Sequence, residues 1–137
     1  MTLGTMNHLG LTVSNLEKSE PFYAAILGFM GYQQVEKNNT FIMWWLQNAG
    51  AIVISAANPN SPNKFHDRYS PGLHHLAFDA DSREQVDSLY KLIQEIGATV
   101  LDPPAEYNQY APGYYAVFFA DPDGLKLELV HMPNLPE

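Results

Sequence analysis

The chain has 137 residues, 46% of them hydrophobic, enough for one compact domain with a real core. Seven basic residues against fifteen acidic ones leave a formal net charge of −8 at pH 7, a field that opposes binding to nucleic acid or anionic membranes. The absence of cysteine removes disulfides, thiolate ligands and a cysteine nucleophile together, and fits a cytoplasmic protein.

The opening stretch "MTLGTMNHLG" has neither a basic n-region nor a long apolar h-region, so no signal peptide is expected. Residues 7–28, "NHLGLTVSNLEKSEPFYAAILG", read as a histidine, an alternating apolar strand, a small polar cap and a helix closing at glycine. Leu16, Tyr23, Ile26 and Leu27 give this helix its apolar face. Pro21 lies inside it, which removes one backbone donor and predicts a kink or a 3₁₀ first turn. Strands are expected at about 32–37, at 40–47, where "TFIMWWLQ" is rich in strand formers, and at 49–55, "AGAIVIS". No apolar stretch, "FIMWWL" included, is long enough to span a bilayer. The segment "NPNSPNKFHDRYSPG" (58–72) reads as a loop rich in Pro, Asn and Gly.

The second half repeats the first. "HHLAFDADSREQVDSLYKLIQEIG" (74–97) again gives histidine, strand, cap and helix, with His75 lying 67 residues (75 − 8) after His8. Val86, Leu89, Tyr90, Ile93 and Ile96 form the helix face, Asp81 or Ser82 the N-cap and Gly97 the stop. Strands follow at about 98–102 and 114–120, "PPAEYNQYAPG" (103–113) reads as a loop, and "DGLKLEL" (123–129) closes the half as "AGAIVIS" closes the first. Each half is therefore β-α-β-β-β, with module 1 at about 5–57 and module 2 at about 72–132 of a single domain spanning 1–137.

One helix covers one face of each set of strands, and alternation sorts the side chains. Leu9, Leu11 and Val13 go to the helix side, which leaves His8, Gly10 and Thr12 on the other face. Leu76 and Phe78 leave His75, Ala77 and Asp79 there, and Leu125, Leu127 and Leu129 leave Lys126, Glu128 and Val130. His74 points with Leu76, away from His75, or sits at the strand edge, so His75 is the ligand candidate and His74 is not. His8, His75 and Glu128 thus share a face, and two imidazoles with one carboxylate make a facial triad that leaves coordination positions open. Thr12 and Asp79 are candidates to orient a ligand, and His131 falls on the opposite face. Tyr110, Tyr114 and Tyr115 bracket a Pro-Gly loop, where they line a mouth or simply pack. Tyr115 and Tyr110 are the catalytic candidates, as proton donors. Trp44 and Trp45 face opposite sides, and Arg68 on the inter-half loop is a candidate for an anionic substrate group.

"MNHLGLTVSNLEKSEPFYAAILGF", "GLHHLAFDAD" and "VFFADPDGLKLELV" together resemble the glyoxalase / bleomycin resistance protein / extradiol dioxygenase superfamily, also called vicinal oxygen chelate proteins, over nearly the whole chain. The resemblance implies an α+β, glyoxalase-like fold in which two βαβββ modules form a U-shaped, partly closed mixed sheet. It implies a divalent metal ion (Fe, Mn, Ni, Co or Zn) held by His8, His75 and Glu128, the set that alternation also selects. It further implies a small-molecule substrate with adjacent oxygens and a lyase, isomerase or extradiol-type dioxygenase activity. The alternative it offers is a non-catalytic small-molecule binder of the bleomycin-resistance kind. Family members often pair modules across a homodimer, and others pair them within one chain. Where glyoxalase I-type enzymes carry a fourth ligand, a Glu, the aligned residue is Ile54; where fosfomycin-modifying transferases carry a hydroxyl residue, it is Gly10.

Overall fold

The computed structural model describes residues 3–134. The elements run β1 (His8–Val13), α1 (Leu16–Phe29), β2 (Gln33–Lys37), β3 (Phe41–Leu46), β4 (Gly50–Ala56), β5 (Leu76–Asp79), α2 (Arg83–Glu95), β6 (Thr99–Glu106), β7 (Tyr115–Ala120) and β8 (Lys126–His131). They build two four-stranded mixed sheets, ordered β1-β4-β3-β2 and β5-β8-β7-β6. In each, the first strand pairs parallel with the last, and the remaining pairs are antiparallel. The βαβββ repeat is therefore real at the level of topology, and neither sheet closes into a barrel. The chain divides into two compact units, 1–64 and 65–137.

Both helices start on a side-chain cap. Asn15 and Ser82 sit in extended backbone and accept hydrogen bonds from the amides of Lys18 and Gln85, satisfying donors that have no partner inside the helix. Ser82, rather than Asp81, is the second cap. The first helix runs past Gly28 and stops where Gly31 adopts φ +97°, a left-handed conformation that glycine takes without a Cβ penalty. The expected 3₁₀ first turn is absent. The amide of Ser19 bonds the carbonyl of Asn15 at 3.0 Å, an i→i−4 bond, and α1 is α-helical through Pro21.

In the first unit Tyr23, Ile26 and Leu27 of α1 and Ile42 and Ile54 of β3 and β4 are essentially inaccessible. In the second, Val86, Leu89 and Ile93 of α2 and Phe119, Leu127 and Leu129 of β7 and β8 are as deeply buried. Each such side chain contributes roughly 1.5–3 kcal/mol relative to exposure. Ile96, expected on the same helix face, instead caps α2 and is 40% exposed. Trp44 is buried and Trp45 exposed, as alternation along β3 requires.

The loop expected at 103–113 begins later than the composition suggests, because β6 continues to Glu106 and includes Pro103 and Pro104. Proline cannot donate to a ladder, and β6 tolerates it as the edge strand of its sheet. Its pairing with β7 shifts register between Val100 and Asp102 and again between Asp102 and Ala105, which carries the prolines past their partners. At the other end of β7, the buried Asp121 accepts bonds from the amides of Asp123 and Leu125, forming the tight "DPDG" turn that delivers β8 and Glu128.

Candidate functional site

Glu128 on β8 is a deeply buried carboxylate of the second unit, 1% exposed. It lies opposite Ala77 of β5 and Phe118 of β7 in the ladders. A buried carboxylate is costly unless its oxygens are paired. Here both are. The hydroxyl of Tyr114 donates to Oε2, and Nε2 of His75 lies 3.2 Å from Oε1. Burial first, and the Glu128 contact second, push the Tyr114 phenol well above the usual range, so it keeps its proton.

His74 and His75 do not point apart. Strand β5 begins only at Leu76, and alternation has no hold on residues outside the ladder. The two rings meet edge to face with centroids 4.9 Å apart, and their Nδ1 atoms are 2.7 Å from each other. Desolvation, then the neighbouring charges of His75, Lys126 and Arg68, hold the His74 imidazole below its ordinary range. Tyr114, Glu128, His75 and His74 thus form one continuous chain of polar contacts.

In the first unit His8 opens β1 and is exposed, with Nδ1 2.8 Å from Oδ1 of Asn7. An amide oxygen only accepts, so Nδ1 is the donor in this contact. Gly10 and Thr12 are exposed on the same side of β1, as expected. The ladder register revises one correspondence between the repeats. Gly10 pairs with Val53, as Ala77 pairs with Glu128, so Val53, not Ile54, is the first-module counterpart of Glu128. Ile54 is one residue off and therefore on the helix side, fully buried. Either way the counterpart is apolar.

The tyrosines separate by face. Tyr115 is the first residue of β7, and its hydroxyl donates to Oδ1 of Asp87 on α2 at 2.6 Å, under the Arg83 guanidinium. Tyr114, one residue earlier, takes the Glu128 side. Tyr110 is 61% exposed and stacks on Tyr107 at 5.6 Å; Tyr107 in turn meets Phe118 edge to face. Alternation back from Ala116 and Phe118, which share a buried cluster with Val130 and Tyr114, was the signal that could have singled out Tyr114. Asp79 is exposed, and His131 donates to the carbonyl of Ala80. Arg68 stacks on Tyr69, which meets the ring of His74.

Two ligand atoms each about 2.1 Å from one ion and about 100° apart stand about 3.2 Å from each other. That is the separation of His75 Nε2 and Glu128 Oε1, so this pair fits two cis positions of a metal. Among the described residues, no group of three or more His, Cys, Asp or Glu side chains is placed to hold an ion.

The chain matches the model of the Glyoxalase/Bleomycin resistance protein/Dioxygenase superfamily over residues 5–129, and it belongs to that family. It is 36% identical over 125 residues to YqjT, an uncharacterized protein of Bacillus subtilis (strain 168), covering 91% of this chain and 97% of that one. It is 29% identical over 133 residues to the metallothiol transferase FosB of Shouchella clausii, covering 96% and 82%. The crystal structure of a glyoxylase/bleomycin resistance protein/dioxygenase domain from Frankia sp. EAN1pec superposes with a TM-score of 0.78 at 26% identity, over 96% of this chain and 99% of that one.

Proposed function

We propose that this protein is a divalent-metal-dependent enzyme acting on a small substrate with adjacent oxygens, with His8, His75 and Glu128 as the metal ligands. The observation that carries the reading is the buried Glu128 carboxylate with Oε1 3.2 Å from Nε2 of His75, the spacing of two ligands on one ion. An ion (Fe, Mn, Ni, Co or Zn) held by His8, His75 and Glu128 would supply Lewis-acid polarisation of a substrate oxygen, the chemistry from which lyase, isomerase, transferase and oxygenase members depart. The name of the FosB relative, a metallothiol transferase, supports a metal in this reading.

The chain's own residues then divide the work. Tyr114 occupies Oε2 of Glu128, so the carboxylate offers one oxygen rather than two. Because its phenol is held high, Tyr114 donates a hydrogen bond and does not act as a base. Tyr107 and Tyr110 present a stacked aromatic shelf beside it, suited to keeping water from a planar substrate. Tyr110 keeps a role as a substrate contact, whereas Tyr115 orders α2 through Asp87. The reading takes a homodimer as the assembly and the cytoplasm as the location of this cysteine-free chain.

The test is reconstitution with each ion, followed by assays of hemithioacetal isomerisation, thiol addition to an epoxide and catechol ring opening. Turnover that requires the ion and falls at least about 100-fold in Glu128→Gln supports the reading. Turnover indifferent to the ion or to that change contradicts it. The aromatic shelf favours a second reading, a binder of aromatic small molecules; tight binding with no turnover under any ion supports that one instead.

A further inference from the structure

We propose that Asn7 and His74 are matched positioning residues, each fixing the imidazole that follows it in the chain so that Nε2 remains its ligand nitrogen. The proposal rests on His8 and His75 being metal ligands, and it adds a role for two residues outside that set.

The same local device occurs twice. Asn7 Oδ1 lies 2.8 Å from Nδ1 of His8, and Nδ1 of His74 lies 2.7 Å from Nδ1 of His75. Asn7 and His74 are 67 residues apart (74 − 7), the offset that relates His8 to His75. The two pairs use different chemistry for one job, since an amide oxygen and an imidazole nitrogen can each accept at Nδ1. Both stand where the chain enters its strand, His8 as the first residue of β1 and His75 just before β5. There the pleat does not yet force neighbouring side chains apart, so residue i−1 can reach the ring of residue i. Which nitrogen of a histidine is metallated is set by the hydrogen bond that the other makes. A partner at Nδ1 also fixes the ring plane, and losing such a partner typically weakens metal binding about 10–100-fold.

The experiment uses the full chain and two readouts. Nickel binding is measured by calorimetry for the wild type, Asn7→Ala, His74→Phe and His74→Asn. His74→Phe keeps an aromatic ring against Tyr69 but has no acceptor, and His74→Asn installs the group that serves the first repeat. The expected result is binding weaker by about 10–100-fold in Asn7→Ala and His74→Phe, with His74→Asn within about threefold of wild type. Imidazole ¹H–¹⁵N correlation spectra of the metal-free protein give the second readout: His8 as the Nδ1–H tautomer in the wild type, and a mixture in Asn7→Ala. Wild-type nickel affinity in both Asn7→Ala and His74→Phe, or an Nε2–H tautomer at His8 of the wild type, overturns the proposal. If the wild type binds neither nickel nor iron, manganese, cobalt or zinc in the same assay, the ligand reading itself fails, and the metal-free spectra alone decide whether Asn7 orients His8.

Discussion

Replacing Tyr114 by phenylalanine removes one oxygen atom and tests the electrostatics of the buried carboxylate. Glu128 is 1% exposed, and its Oε2 has the Tyr114 hydroxyl as donor. Without it, a charged oxygen is left buried with no replacement at that position. Hydrogen bonds to charged groups are worth about 1.5–3 kcal/mol, so Tyr114→Phe is expected to cost about 2 kcal/mol. For a chain of this length that corresponds to a Tm lower by about 6 °C. Tyr115→Phe is the control, one residue away in sequence. Its hydroxyl bonds an exposed aspartate, Asp87, so its loss costs less than about 1 kcal/mol. Urea unfolding followed by circular dichroism gives both values from the same experiment. A Tyr114→Phe protein within about 0.5 kcal/mol of wild type, or a larger loss in Tyr115→Phe, would refute the assignment of Tyr114 to Glu128.

The Tyr114 phenol is raised above the unfolded value of about 10, so its contribution is complete below that pH and is lost as pH rises toward the folded value. The stability gap between wild type and Tyr114→Phe is therefore expected to close above pH ~10, and a gap that widens there contradicts the sign. Gly50 has φ +104°, and a Cβ there would meet the carbonyl oxygens of Asn7 and Met6 at 2.6 and 2.7 Å. Gly50→Ala is expected to cost more than about 2 kcal/mol in urea and to shift the imidazole resonances of His8. Leu89→Ala, at a fully buried position of α2, is expected to cost about 2–5 kcal/mol by the same measurement. Asn15→Ala removes the cap of α1 and is expected to cost about 1 kcal/mol.

The sheet and helix plan was legible because the hydrophobic pattern repeats. Leu11 and Val13 go inward where His8, Gly10 and Thr12 stay exposed, and that period-two signal survives without any knowledge of partners. The side of β8 that Glu128 takes, opposite to that of Leu127 and Leu129, was legible for the same reason. What failed were features that depend on a boundary or a neighbour. His74 and His75 touch because β5 starts only at Leu76, two residues later than alternation between them requires. Pro103 and Pro104 sit in a strand because that strand is an edge, a fact of sheet order that composition does not carry. Tyr114 and Tyr115 are adjacent and chemically identical, and only alternation along β7, read back from Ala116 and Phe118, separates the one on Glu128 from the one on Asp87. Val53 rather than Ile54 answers to Glu128 because a one-residue slip in aligning two turns flips the face.

The measurement closest to the central claim is elemental analysis of protein purified without chelator or histidine tag, for wild type, His8→Ala, His75→Ala and Glu128→Gln. Stoichiometric divalent metal is expected in the wild type, with loss in each of the three variants while their circular dichroism remains native. Metal retained in full by His75→Ala or Glu128→Gln, or none taken up by the wild type after reconstitution, would contradict it.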